Sequence, residues 1–570
     1  MHVATTRRHY KDRVYETHLL RRSYRDEHGK PRNETLANLS HLPTDTIELI
    51  RGSLRGETFV AAADAFTITR SRPHGHVAAA AAMARTLGLP GLLGPACAQR
   101  DLAFALIVAR ACRPGSKLAT LRWWADTTLA CDLGVEAADT DDAYAAMDWL
   151  LQRQPAIEKA LAGRHLSPGG LVLYDLSGSW MEGSGCPLTA YGYSRDGKRG
   201  KPQICYGLVT DPDGRPVAVN VLPGDTADSA AFTEAVATVV ERFGLSRVVL
   251  VGDRGMITSA GVAALRDRGG VDWITALRAP AIKKLAGQGA IQLSLFDHTN
   301  LAEITDPDYP GERLVVCRNP ALAAERTRKR GELLAATDAE LDKIAAAVTA
   351  GRLRDAGKIG VRVGRHVNHY KMAKHYTLHI ADGRFAYHRD QPAIDPEAAL
   401  DGVYVIRTSV TADTLDAAAV VQAYKRLAGV ERAFRSLKTV DLDIRPIHHR
   451  LEDRVRGHVL ICMLAAYLVW HLRQAWAPLC FTDEHPPQRT DPVAPAQRSP
   501  HALRKASRHT TADGGPVHSF GTLLDHLATL TRDRIRFRDS DIEIDKLAQP
   551  TPTQRRAFEL LHAPIPHQIG

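Results

Sequence analysis

The sequence predicts an α/β fold, and three observations predict it. Two apolar strand-like segments, LVLY at 171–174 and VVLV at 248–251, each run into an aspartate, Asp175 and Asp253. Between them lies a hairpin pattern, ICYGLVT and PVAVNVL around the turn DPDGR. Helical segments then alternate with short strands as far as DWITALR. The resulting order is strand, hairpin pair, helix, strand, helix, strand. That is the order of a ribonuclease-H-like core, three antiparallel strands followed by parallel ones.

The other elements follow along the chain. Residues 1–75 form a basic arm, with nine Lys/Arg against four Asp/Glu in the first 32 positions. VYETHLLRRSYRD alternates in part and DEHGKPR supplies a turn, so a β-hairpin is expected. Such an arm is equally a DNA grip or a solvated edge. Residues 76–168 are rich in Ala and Leu with little β-branched periodicity, which predicts a helical domain. If this chain handles DNA ends, that domain is expected to bind them. Trp123, Trp124 and Trp149 fall in these helices as core residues.

The core is assigned to 169–278 and 401–475. Residues 279–400 interrupt it as an insertion domain. They hold a basic helical stretch, ERTRKRGELLAATDAELDKIAAAVTAGRLR, and a His-rich stretch read as strand, GRHVNHYKMAKHYTLHI. Tyr370, Tyr376, Phe385 and Tyr387 lie among its basic residues; packing is the expected role, base stacking the alternative. Residues 476–570 are expected to be a Pro-rich linker, with six prolines between 485 and 516, and a helical tail.

Composition narrows the function. A 570-residue chain with 44% hydrophobic and 24% charged residues buries an ordinary core in several domains. The net charge of +10 favours a polyanionic partner, because neutralising phosphates supplies most non-specific nucleic-acid affinity. The eight cysteines form no CxxC pair, which argues against a zinc ribbon or a thioredoxin-like motif. No GxxxxGK[ST] occurs, so no nucleotide cofactor is expected. The start, MHVATTRRHYKDR, lacks the apolar core of a signal peptide. The longest apolar run, Val459–Trp470, is too short to span a bilayer. A cytoplasmic protein without a membrane partner is expected. His448, His449 and His458 lack paired-ligand spacing and are assigned to surface or DNA-backbone contacts.

Asp175 and Asp253 carry the candidate chemistry. Taken singly, each is more often a cap or turn residue. Phosphodiester chemistry needs carboxylates for hard cations: Mg²⁺ takes oxygen ligands, commonly one or two carboxylates plus substrate phosphates. Two ions about 3.5–4 Å apart activate the attacking oxygen and stabilise the leaving one. Asp175, on the central strand, is the natural bridge. The third acid is expected on a later helix. In AYKRLAGVERAFRSLKT, at about 100° per residue, Tyr424, Glu431, Arg435 and Lys438 share one face beside an apolar stripe. Glu431 thus emerges at the buried seam, with Arg435 and Lys438 placed for phosphates. The competing reading is an ordinary i,i+4 ion pair between Glu431 and Arg435.

The segments LVLYDLSGSW, VVLVGDRGM and YKRLAGVERAFRSLK resemble the three acid-bearing regions of bacterial insertion-sequence DDE transposases. The third is similar to the YREK signature: Tyr424, Glu431 and Lys438 match its spacing, while Leu427 stands where the signature has Arg. PGDTADSAAF is similar to the family's PGN-type segment, with Asp225 in place of Asn. The gaps of 78 and 178 residues between the acids fit the YREK group, which carries an inserted domain before the last catalytic helix.

The resemblance implies a transposase with Asp175, Asp253 and Glu431 as catalytic metal ligands. It implies two Mg²⁺ ions, with Mn²⁺ as a substitute, and Tyr424 and Lys438 on phosphates, with Arg435 standing in for the missing Arg. It further implies binding to terminal inverted repeats, cleavage by metal-activated water, and joining of 3′-OH ends to target DNA. A dimer on DNA, in the bacterial nucleoid, is the implied working form. The alternatives are a metal-dependent nuclease or resolvase on the same fold, and a non-catalytic DNA-binding derivative.

Overall fold

The computed structural model describes every residue except 12, 60–63, 184, 297–298, 539–540 and 570, and for Tyr10 and Leu293 the backbone alone. The chain divides into two units. One comprises residues 1–72 and 532–548, the other 73–531 and 549–570.

In the smaller unit, the basic segment forms the expected hairpin, β2 Arg13–Arg25 and β3 Pro31–Asn38 around the turn at 26–30, and adds a third antiparallel strand, β1 His2–Tyr10. A helix, Thr44–Leu54, lies on one face of this sheet: Ser40 accepts from the His18 N–H at 2.8 Å and Arg51 donates to Thr5. A second sheet joins distant parts of the chain. β15 (Thr531–Phe537) lies between β4 (Phe66–Pro73) and β16 (Glu543–Leu547). The tail has the expected helices, Phe520–Ala528 and Pro552–Leu560, but the strand pair between them was not expected. TRDRIRF and EIDKL hold alternating residues that pair as strands once β4 supplies an edge.

The larger unit is built on an eight-stranded sheet. Its strands are β5 Leu171–Trp180, β6 Gln203–Thr210, β7 Pro216–Pro223, β8 Val248–Val251, β9 Val271–Ala276, β10 Leu301–Ile304, β11 Arg313–Arg318 and β14 Val403–Thr408. The order across the sheet is β10-β11-β14-β9-β8-β5-β6-β7. β5, β6 and β7 are antiparallel, and β8 and β9 join parallel to β5. This is the arrangement that the order of elements predicts. The expected turn DPDGR closes β6 onto β7, with Asp211 accepting from the Arg215 N–H. β6 and β8 are buried along their whole length, because helices cover both faces.

Helices between 75 and 165 form the expected helical region, and Trp124 is part of its core. The helix Glu452–Ala475 is the one described helix long and apolar enough to cross a membrane, yet most of its apolar stretch is buried inside the protein. It packs among the Ala98–Cys112 and Thr140–Gln152 helices and against β7.

Residues 279–400 do two things. β10 and β11 extend the main sheet, with β11 antiparallel to β14. Residues 320–398 supply the helices Pro320–Thr349, Ala356–His369 and Gln391–Ala398 and the hairpin β12 (Tyr376–Ala381) with β13 (Arg384–Arg389), which share one apolar cluster. The cluster gathers Leu341, Ile344, Ile359, Val363, Val367 and Tyr376, with Tyr370, Phe385 and Tyr387 packed against it. The aromatic residues therefore pack, as expected. The segment up to His369 is helix, not the expected strand. Ile359, Val363 and Val367 recur every four residues, and burying that stripe outweighs their β-branched preference.

The Pro-rich segment is docked rather than free. Lys425 Nζ donates to the carbonyls of Pro492, Val493 and Ala494, at 2.5, 2.8 and 3.2 Å. Asn300 donates to Asp491, and Val493 is fully buried.

Candidate active site

β8 is short, and its brevity makes the site. β5 pairs with β8 only from Leu171↔Val249 to Leu173↔Val251. β8 then stops while β5 continues to Trp180. Asp175, still within β5, and Asp253, in the loop after β8, each stand two residues past the last pair. The expected strand end at Asp175 is thus corrected: Asp175 is mid-strand, and it is β8 that ends.

The third acid arrives on the helix Leu427–Arg435, which continues the helix Ala417–Lys425. Val430 and Phe434 bury its apolar side, with the Phe434 ring edge-on to Tyr206 of β6 at 5.7 Å. Gly429 meets Gly214 of the β6–β7 turn. A Cβ on Gly214 would sit 3.0 Å from the Gly429 backbone, and Gly214 has φ +79°, so glycine is required at this crossing.

Asp175, Asp253 and Glu431 line one cavity together with Tyr424, Lys425 and Leu427. An adjoining opening is lined by Asp175 and Glu431 with Arg435, Lys438, Arg195 and Arg445. All six residues expected at the site are therefore brought to one region. None of the three carboxylates is paired with a cation within 4 Å in the described structure, and the Glu431–Arg435 ion pair of the competing reading does not form. Asp175 accepts a hydrogen bond from the Leu176 N–H at 2.8 Å. Burial pushes its carboxyl up to about 7, assisted by the negative charges of Asp253 and Glu431 and opposed by the Leu176 N–H. The Tyr424 hydroxyl lies 3.5 Å from Asp253 Oδ1, and burial followed by that charge raises its pKa.

Among the described residues, no three His, Cys, Asp or Glu side chains converge closely enough to cage one ion. The donor set nonetheless fits hard divalent cations. It is all oxygen, without compensating cations, and Mg²⁺ is ordinarily held by one or two carboxylates with substrate phosphates completing its shell.

The two phosphate candidates differ. Arg435 is exposed, and its guanidinium forms no hydrogen bond or ion pair in the described structure. Lys438 is committed: its Nζ donates to Asp196 Oδ1 at 2.7 Å, and Arg445 pairs with the same carboxylate. Arg195, Asp196 and Arg445 escaped sequence reasoning. For Arg195 and Asp196 the signal was there in the basic, glycine-rich run GYSRDGKRGKP after β5. Arg426 turns to the β6–β7 turn, where it pairs with Asp213. The histidine assignment needs correction: His458 is buried, its Nδ1 3.3 Å from Lys117 Nζ, and it is not a surface contact.

Comparisons with known proteins identify the class. Residues 177–468 match the family described as transposase DDE domain, whose members are metal-dependent enzymes that cleave and join DNA. The match takes in Asp253 and Glu431 and begins just after Asp175. Residues 3–63 match the IS1634 family transposase N-terminal domain. Since the first match spans more than half of the chain, the chain belongs to the DDE transposase family and is a DNA transposase. Among solved structures, a piggyBac transposase synaptic complex with hairpin DNA is similar at 8% identity and a TM-score of 0.34, over 75% of this chain and 70% of that one. No curated protein matches.

Proposed function

We propose that this transposase binds the terminal inverted repeats of its own insertion sequence, cuts there with activated water, and joins the freed 3′-OH ends to target DNA. In this reading Asp175, Asp253 and Glu431 would hold two Mg²⁺ ions. The single observation that carries it is the pairing of Asp175 and Asp253 beyond the end of β8, with the Glu431 helix laid over them. When bound, the ions supply activation of the attacking oxygen and stabilisation of the leaving one.

The chain's own groups do the rest. Asp175, its carboxyl pKa raised by burial and by the charges of Asp253 and Glu431, would serve as a carboxylate ligand at a site where a cation is favoured. Arg435 holds a phosphate at the mouth of the cavity. Tyr424 orients the strand from the other side, and Lys438 does so on leaving Asp196. We read the fold as a ribonuclease-H-like core with an insertion, and the chain as a member of the YREK group altered at Leu427. Leu427 lines the cavity where that group has a guanidinium, so the reading rests on cleavage and joining and not on a hairpin intermediate. Two ends need two sites, hence a dimer on DNA.

The test uses a labelled duplex carrying the element's terminal repeat, a plasmid target and Mg²⁺ or Mn²⁺. The expected result is nicked and joined products, each lowered about 10³-fold (about 4 kcal/mol) in Asp175→Asn, Asp253→Asn and Glu431→Gln. Undiminished cleavage by Asp175→Asn refutes the site. Cutting with no joined product would mark a nuclease instead.

A further inference from the structure

The register of the N-terminal sheet separates its charges. One face carries Thr5 and His18, Arg7 and Glu16, and Arg22 and Glu34 as directly opposed pairs. Arg7 is bonded to Glu16, and Arg22 to Glu34 at 2.7 Å. The Thr44–Leu54 helix sits on this face through Thr5 and His18. The other face is different. It presents Arg8 opposite Tyr15, His2 opposite Arg21, and Arg21 opposite Thr35, with Arg13 and Arg25 towards the two ends of β2. Thr6, Thr17, Ser23 and Asn33 lie between them.

Among the described residues no carboxylate projects from this second face. Glu16 and Glu34 are on the first, and Asp26 and Glu27 are in the turn after β2. Arg8, Arg13 and Tyr15 are exposed, while Arg21 is half-buried, its enclosed Nε without a hydrogen-bond partner. Of the four arginines, Arg25 is held by a backbone carbonyl, that of Gly29.

We infer that this arginine face of the β1–β3 sheet is a docking surface for the phosphate backbone of duplex DNA. The inference rests on the DNA-handling function above and names a surface which that function leaves unassigned. Charge complementarity selects the occupant: cations without acids, interleaved with hydroxyl and amide groups, match the groups that most often meet phosphate and sugar. Scale agrees. Arg13 and Arg25 are twelve positions apart on one strand, about 40 Å at roughly 3.3 Å per residue. One turn of B-form DNA is about 34–36 Å. β-sheets are established readers of DNA grooves, and a sheet bearing arginines on one side needs no refolding to lie along a duplex.

The experiment compares two variants of the full chain that lose the same charge. Arg8→Ala with Arg13→Ala strips the free face; Arg7→Ala with Arg22→Ala strips the paired face. Binding of a fluorescein-labelled 30-base-pair duplex is followed by anisotropy across a NaCl series. For the first variant the slope of log K against log salt becomes shallower by about 1.8, at about 0.9 for each phosphate no longer neutralised. Affinity at 0.15 M salt falls roughly tenfold or more. The second variant keeps the parent slope. Equal effects from both, or an unchanged slope in the first, overturn the inference while the parent's binding leaves the transposase reading intact. A parent chain that binds no duplex overturns both. Far-UV circular dichroism and thermal midpoints matching the parent show that each variant is folded.

Discussion

At the scale of single residues, the site separates side chains that are free to meet DNA from those already engaged. Arg435 and Lys438 fall on one helical face, yet their surroundings differ. Lys438 shares the buried Asp196 with Arg445, and burial lowers its pKa below the usual lysine range. Lys438→Met leaves that carboxylate with Arg445 alone and is expected to lower unfolding free energy by about 1–3 kcal/mol. Arg435→Ala removes no protein contact and changes stability by less than about 0.5 kcal/mol. Urea denaturation measures both. For DNA the order reverses: Arg435→Ala flattens the salt slope of end binding by about 0.9. If Arg435→Ala proves the more destabilising of the two, its assignment to DNA is mistaken. The helical periodicity that placed both residues beside Glu431 was legible in the sequence. Asp196 was not, because it reaches Lys438 across 242 positions.

At the scale of elements, the helix bearing Glu431 is fixed from two sides. Gly429 against Gly214 sets how closely it approaches the β6–β7 turn. Just upstream, Lys425 ties the preceding helix to the Pro-rich segment through three carbonyls. An ammonium holding three carbonyls is the main described tie between the two, while Asn300 and Asn319 hold Asp491 and Val493 of the segment from elsewhere. Lys425→Met keeps the apolar stem and loses the donors. The Pro-rich segment should then open about tenfold more often, for about 1.4 kcal/mol lost, and be nicked by protease correspondingly faster. Limited proteolysis with mapping of the cut sites checks this; parent-like resistance between 485 and 499 would show that the strap is held otherwise. Composition marked this segment as a linker, since prolines and polar residues abound. What composition cannot register is a lysine elsewhere that satisfies its carbonyls.

At the scale of the whole molecule, buried histidines set the acid limit. Burial lowers His76, His165 and His471 to about 4 and His449 to about 3, and it holds His458 well below 6.5. Nearby cations add to this: Arg215 acts on His165 and His471, and Lys117 on His449 and His458. In each case the folded-state value lies below the unfolded one. As pH falls from about 6.5 towards 4, the unfolded chain takes up protons that the folded chain refuses, and stability is lost. The thermal midpoint is expected to drop by several degrees across that window at constant ionic strength. A midpoint that is flat or rising between pH 6.5 and 4 would contradict these burials.

The linear chain already dictated the local order of elements, the two acids that follow apolar strand segments, and the helix face that gathers Tyr424, Glu431, Arg435 and Lys438. These are short-range properties: apolar periodicity and turn chemistry act over a few residues, and a sequence displays them directly. The same local signals made 320–349 helical and Tyr370, Tyr376, Phe385 and Tyr387 packing residues. Folding in three dimensions was needed to establish that β8 stops two residues short of Asp253 while β5 runs on past Asp175, which opens the cavity between them. It was needed as well to make strands of residues 531–547, because they pair with β4 from the opposite end of the chain. It also sorted the N-terminal arginines into a paired face and a free one. Register and long-range pairing depend on which edges and cavities the rest of the chain leaves open, and no local pattern carries that information.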